Sequence, residues 1–206
     1  MSLVEEPVKD VFVQQQILDA AKKLFQAHGL YKITMDDVAK AVGKGRSSLY
    51  YYYKSKDEIF DAVMQAEIRE MLSAMTAAVE QANTTEEKLL GFCLAKLTVL
   101  REKKSFFKVL EAGMDADAIS QFQQMKMSHH NIIMKQESAL LDKVICYGVA
   151  NDELRPIDET EIPLLIFVLL TSLRGVKREM EITNNFDNMD QAVNMLTRVM
   201  MHGLKK

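Results

Sequence analysis

Apolar side chains recur at helical spacing along nearly the whole chain, and no stretch keeps up the strict apolar–polar alternation of a half-buried strand. Residues 1–12 carry Pro7 and little periodicity, and read as a loose arm. From Val13 to His28 the stripe is Ile17, Leu18, Ala21, Leu24 and Phe25, one face of a helix that Gly29 is placed to cap. Thr34 precedes a short helix with Asp36 and Asp37 in its first turn, where acids suit the helix dipole. Val38, Ala39 and Val42 form its inner face, and Gly43 closes it. A third helix is expected from about Arg46 to Tyr53. Three short helices joined by tight glycine turns, the last two close together, have the layout of a helix-turn-helix head.

The remainder is also helical. Ser55-Lys56-Asp57-Glu58 is a capping box that opens a long helix to about Gln81, with Phe60, Met64, Ile68, Met71, Met75 and Val79 on one face. Thr84 and Thr85 cap a helix carrying Leu89, Leu90, Cys93, Leu94, Leu97 and Leu100. A shorter helix is expected around Phe106, Phe107, Val109 and Leu110, and a long one from Asp117 to Tyr147, where Gly148 can stop it. Residues 151–158 are the clearest linker, followed by helices over 159–182 and 189–203. The fold class is therefore all-α, with about nine helices.

Charge adds an asymmetry that periodicity does not show. The net charge of −3 hides a basic head, because residues 13–56 hold eight basic side chains against three acids. A basic head on an acidic body is suited to meeting a polyanion. The same stretch holds four consecutive tyrosines, Tyr50 to Tyr53, of six in the chain. Consecutive helical residues point roughly 100° apart, so the four cannot share a face. Leu49 and Tyr53, at i and i+4, are the natural inward pair, which leaves Tyr50, Tyr51 and Tyr52 spread around the rest. Against DNA a tyrosine hydroxyl can bond a phosphate and its ring can pack on sugars or a thymine methyl. Arg46 can reach a guanine edge with two hydrogen bonds, and Lys54 and Lys56 lie where backbone phosphate would pass.

The stretch ILDAAKKLFQAHGLYKITMDDVAKAVGKGRSSLYYYYKSKDEIF, Ile17 to Phe60, resembles the head of the TetR family of bacterial transcriptional regulators. The resemblance rests on the Leu-Phe-x-x-x-Gly end of the first helix, Thr-x-x-Asp-Val-Ala in the second, and Leu-Tyr-x-Tyr-Tyr-x-Ser-Lys-x-Glu at the third-to-fourth junction. It implies that Arg46 and Tyr50 face bases, and that Ser48, Tyr52 and Lys56 touch phosphates. It also implies that Leu49 and Tyr53 are core and that Thr34 caps the second helix beside the DNA backbone. With Lys44, Ser47, Tyr51 and Lys54 these make up the expected DNA-binding set. The turn departs from the family pattern. Lys44 stands where an aliphatic residue is usual, and Gly45 where a capping Ser or Thr is usual.

The family architecture further implies a DNA-binding domain over 1–54 and an effector-binding and dimerisation domain over 55–206. The function implied is a cytoplasmic homodimeric repressor released from double-stranded operator DNA by a small apolar effector. Twelve of the fourteen methionines follow residue 57, and flexible, polarizable Met suits an adaptable apolar pocket. Met71, Phe92, Phe107, Met114, Phe122 and Met134 are the pocket candidates, although a Met stripe at helical spacing is more often core. The segment Pro163–Leu173 is apolar all round and needs cover on every side. Pairing it and the last helix with their copies gives an interface candidate of Leu165, Phe167, Val168, Leu169, Ser172, Val193, Leu196 and Met200. The alternative is a helical interaction module, or a regulator governed by a protein partner.

Other chemistries find little support. That apolar run is about half a membrane span. Gly43-Lys44-Gly45 lacks both the earlier glycine and the following Ser or Thr of a phosphate loop. His129 and His130 are adjacent and diverge on a helix, so they read as solvated or at a pocket rim, with no metal and no cofactor. Cys93 and Cys146 have no recognisable base nearby in sequence, and no enzyme is expected.

Overall fold

The computed structural model describes residues 6–103, 109–110 and 116–206. Eight named helices are found among them: α1 Glu6–His28, α2 Met35–Val42, α3 Arg46–Tyr52, α4 Lys56–Gln81, α5 Thr85–Glu102, α6 Ala116–Ala150, α7 Ile162–Thr183 and α8 Met189–Leu204. The described residues form no β-strand, only one isolated bridge between Leu154 and Lys205. The short helix expected around Phe106 falls largely outside the described residues.

The caps explain most boundaries. At α2, Asp37 N–H donates to Thr34 Oγ1 (3.2 Å) while Thr34 N–H donates to Asp37 Oδ2 (2.8 Å). This reciprocal box satisfies two amides that the helix itself leaves unpaired. Gly43 closes α2 at φ 68°, a left-handed conformation in which its N–H bonds back to the Ala39 and Lys40 carbonyls. At α4, Glu58 N–H donates to Ser55 Oγ (3.1 Å), and the Glu58 carboxylate accepts from Lys54 N–H, one residue further back than expected.

Two sequence expectations are corrected. The arm is helical from Glu6, since a proline in the first turn costs no intrahelical hydrogen bond. Val11 and Phe12 lie on the solvent side of this segment, which is why no inward stripe was visible there. Gly148 does not stop α6, which continues to Ala150. A Cβ at Gly148 would come within 2.6 Å of Thr85 Oγ1 and 2.7 Å of Leu154 Cγ. This glycine serves close approach, not termination.

The described residues group into two compact units, one within 1–68 and 103–129 and one of 69–102 and 130–206. In the first, α1, α2, α3 and the start of α4 share a core of Ile17, Phe25, Val38, Leu49, Ile59 and Phe60, with Phe122 added from α6. Phe60 meets Phe25 edge-on at 5.6 Å and Phe122 at 5.9 Å. Phe122, named from sequence as a pocket candidate, is therefore core of this unit. His129 is buried as well, with Nε2 2.8 Å from Asp61 Oδ1, so it is not solvated.

In the second unit α5 packs on α8, and α7 packs on α8. Met71 and Phe92 belong to its core cluster and Met134 packs against it, whereas the candidates Phe107 and Met114 lie outside the described residues. Of the residues expected at a dimer face, Leu169 and Val193 are spent inside this same core. Helix α7 buries one stripe in its own chain and leaves Leu164, Phe167 and Val168 exposed.

Candidate nucleic-acid interface

Helix α3 is short, and only Leu49 among its residues is fully buried, with Tyr53 following as its C-cap. Anchoring by that pair turns Arg46, Ser47, Ser48 and Tyr51 outward, Tyr51 with 69% of its surface exposed. Tyr50 and Tyr52 are half-buried at the flanks. The four tyrosines thus divide as the 100° rotation requires, one inward, two at the flanks and one in solvent.

Several polar side chains here are held by a partner. Arg46 Nη1 donates to Asp36 Oδ2 and its Nε lies 3.3 Å from Asp36 Oδ1, which links α3 to the first turn of α2. The guanidinium also sits 5.5 Å from the Tyr50 ring centroid and within 3.5 Å of its hydroxyl. These contacts are solvent-exposed and individually weak, so a phosphate or guanine can replace them. They extend the arginine over the outer surface of the helix and leave it available to a ligand.

Tyr52 donates its hydroxyl to Asp10 Oδ1 of α1 at 2.8 Å, and that bond raises its phenol pKa. Tyr51 packs edge-on against Tyr52 at 5.0 Å. Lys54 Nζ caps α3 through the Tyr50 carbonyl at 2.9 Å. Lys56 Nζ donates to the carbonyls of Leu30 (3.0 Å) and Tyr31 (3.3 Å), tying the start of α4 to the turn ahead of α2. Two of its three donors are committed to that clamp, and one is left for a phosphate. Thr34 is exposed beside this turn, and its hydroxyl donates to Asp37 Oδ2 at 2.6 Å. The Thr34 bonds hold the Asp37 carboxyl below the usual carboxylate value. Lys44 is half-buried in the turn, where its N–H bonds the Ala39 carbonyl at 3.0 Å.

Sequence reasoning missed the partners. Asp10 and Asp36 orient Tyr52 and Arg46 from 42 and 10 residues away, and no local pattern marks them. The expected set nonetheless comes together on one surface of the first unit, made by α3, the α2–α3 turn, Thr34 and the start of α4.

Residues 17–63 match the model of the bacterial regulatory proteins of the tetR family. That segment is a TetR-family DNA-binding head. The chain is a DNA-binding transcriptional regulator, and the matched region contains every residue of the expected interface. The HTH-type transcriptional regulator YhgD of Bacillus subtilis is 26% identical, over 75% of this chain and 76% of that protein. The fatty acid metabolism regulator protein of the same organism is 21% identical, over 68% and 70%. The fold matches that of a fatty acid degradation regulator from Bacillus halodurans with a TM-score of 0.64, covering 93% and 95% of the two chains at 18% identity. Among the described residues, no helix is long and apolar enough to cross a membrane, and no group of three or more His, Cys, Asp or Glu could hold a metal ion.

Proposed function

We propose that this regulator is a homodimeric repressor that leaves its operator when a small, largely apolar effector binds in the second unit. The observation that carries the reading is the outward presentation of Arg46, Ser47 and Tyr51 on a short helix anchored by Leu49 and Tyr53, within the segment matched to the family. In this reading Arg46 and Tyr50 read base edges. Thr34, Lys44, Ser47, Ser48, Tyr51, Tyr52, Lys54 and Lys56 follow the backbone or brace those that do.

Dimerisation is supported by the exposed apolar residues of α7 and α8, namely Leu164, Phe167, Val168, Met195 and Val199. Leu165, Ser172, Leu196 and Met200 are half-buried on the same two helices. Packing two copies of this pair gives a four-helix interface, and two heads then meet half-sites about 34–36 Å apart. The names of two relatives concern fatty acid metabolism, which agrees with an apolar effector. Helix α4 contributes Lys56–Ile68 to the first unit and Arg69–Gln81 to the second, so in this reading it carries the response. A tenfold fall in operator affinity requires only about 1.4 kcal/mol of difference in effector affinity between the two states.

The test is operator binding by Arg46→Ala and Lys54→Ala proteins. Arg46→Ala should weaken operator binding by about 1–3 kcal/mol while leaving non-specific DNA nearly unaffected, and Lys54→Ala should weaken both alike. Wild-type operator affinity in both would reject the interface.

A further inference from the structure

The second unit contains a polar cluster that its fold does not satisfy. Lys96 of α5 and Glu137 of α6 form an ion pair, Nζ to Oε2 2.5 Å, with side chains 5% and 0% exposed. That contact occupies one carboxylate oxygen and one of three ammonium donors. Glu137 Oε1 is buried without a hydrogen-bond partner, and Thr197 Oγ1 on α8 is buried with no oxygen or nitrogen partner, only the weakly bonding Cys93 thiol. Cys93, one turn before Lys96, lies close enough to Thr197 for the hydroxyl to act on its thiol. The helical neighbours of these groups are apolar: Ile133, Met134 and Leu141 beside Glu137, and Val193 and Met201 beside Thr197.

An unpaired buried acceptor costs about as much as a lost hydrogen bond, and a half-satisfied ion pair is worse than an apolar replacement. Three helices converge on this cost, which is the pattern of a site completed by a ligand. The pair is neutral within itself, and that selects the ligand. A carboxylate brought to Lys96 would face Glu137, and an ammonium brought to Glu137 would face Lys96, each after losing its water. A neutral group with a donor for Glu137 Oε1 and an acceptor for the spare Lys96 and Thr197 hydrogens meets no such repulsion. The nearby cation on α7, Arg174, is engaged with His130 Nε2 (3.2 Å), Met134 Sδ (3.0 Å) and Thr171 Oγ1 (3.2 Å).

We infer that Lys96, Glu137 and Thr197 form the polar end of the effector site and recognise a neutral head with both hydrogen-bond donor and acceptor, a hydroxyl or carboxamide on an apolar body. This rests on the reading of the second unit as the effector-binding part.

The experiment measures binding of decan-1-ol, decanoate and decylamine to the full-length protein by calorimetry, with operator affinity followed by anisotropy in parallel. The expected result is that decan-1-ol binds about tenfold more tightly than either charged probe. In Thr197→Val, and separately in the Lys96→Met/Glu137→Leu double variant, this preference should fall below about threefold. The valine variant is nearly isosteric and guards against loss of fold. In crystals grown with decan-1-ol, the hydroxyl should lie within hydrogen-bonding distance of Glu137 Oε1. A single ordered water there, with the alcohol elsewhere, overturns the inference. So does a preference for decanoate, or one that survives in both variants. Probes that bind and weaken operator binding but show no head-group ranking overturn the inference and leave the effector reading standing. No binding by any probe, with operator affinity unmoved, overturns both.

Discussion

Glu67 fastens helix α1 to α4, and its removal should loosen the first unit in a measurable way. The side chain is 6% exposed, yet both of its oxygens are used. Lys22 Nζ of α1 lies 2.5 Å from Oε1, and Lys103 Nζ lies 2.8 Å from Oε2. Lys103 also donates to the Glu67 carbonyl at 3.3 Å. In Glu67→Gln the amide keeps the volume but removes the charge, and its NH2 must face one of the two ammonium groups. The Lys103 side chain is 15% exposed and cannot readily swing into water, so its charge-assisted bond is worth about 1.5–3 kcal/mol. Lys22, 33% exposed, can escape to solvent, and its share is discounted to about 0.5–1 kcal/mol. The sum is near 3 kcal/mol, or roughly a hundredfold in an opening equilibrium. Amide hydrogen exchange of the α1 segment around Lys22, read by mass spectrometry, reports that equilibrium directly. A double-mutant cycle should give a larger coupling for Glu67 with Lys103 than with Lys22. Exchange in Glu67→Gln within about threefold of wild type would refute the reasoning, as would a larger Lys22 coupling.

Three further outcomes follow from the same geometry. Cys146 is exposed, whereas burial pushes the Cys93 thiol up to about 12. An aromatic disulfide reagent at pH 8 should therefore label one thiol in the native protein and two after denaturation; rapid native labelling of both would contradict the packing. Gly148→Ala should destabilise by about 1–3 kcal/mol in chemical denaturation, because its Cβ would meet Thr85 and Leu154 below 3 Å. Gly45→Ala, with open space around it, should stay within about 0.5 kcal/mol, and equal effects of the two substitutions would refute this. Asp37 has its folded-state pKa lowered by the Thr34 bonds, so its stabilising effect is present above the unfolded carboxylate value and is lost as pH falls through the folded one. The stability difference between wild type and Asp37→Asn should be flat from pH 7 to about 5 and shrink below about 4; a difference that grew on acidification would refute the cap.

The head could be read in the sequence because its signals are local. Thr34 with Asp37, Ser55 with Glu58, and the positive-φ Gly43 lie within a turn of the residues they serve, and the Leu49–Tyr53 spacing fixed which tyrosine points inward. What failed were inferences needing a partner distant in sequence. Gly148 reads as a stop, yet Leu154 and Thr85 lie against it, and Leu169 reads as free to pair with a copy, yet it is buried in the core of its own chain. Phe122 reads as a pocket candidate, but helical spacing does not say which of two cores a helix faces. Asp10, Asp36, Lys96 and Glu137 are unremarkable in sequence and matter only through what the fold brings to them.

The central claim is that the first unit reads DNA through α3. Anisotropy of labelled DNA from upstream of the protein's own gene, competed with excess unrelated DNA at 50 and 200 mM salt, tests it most directly. The account predicts tight binding that survives the competitor and weakens at least about a hundredfold across that salt range, as several phosphate contacts require. Binding that ignores salt, or that unrelated DNA abolishes at equal concentration, would contradict it.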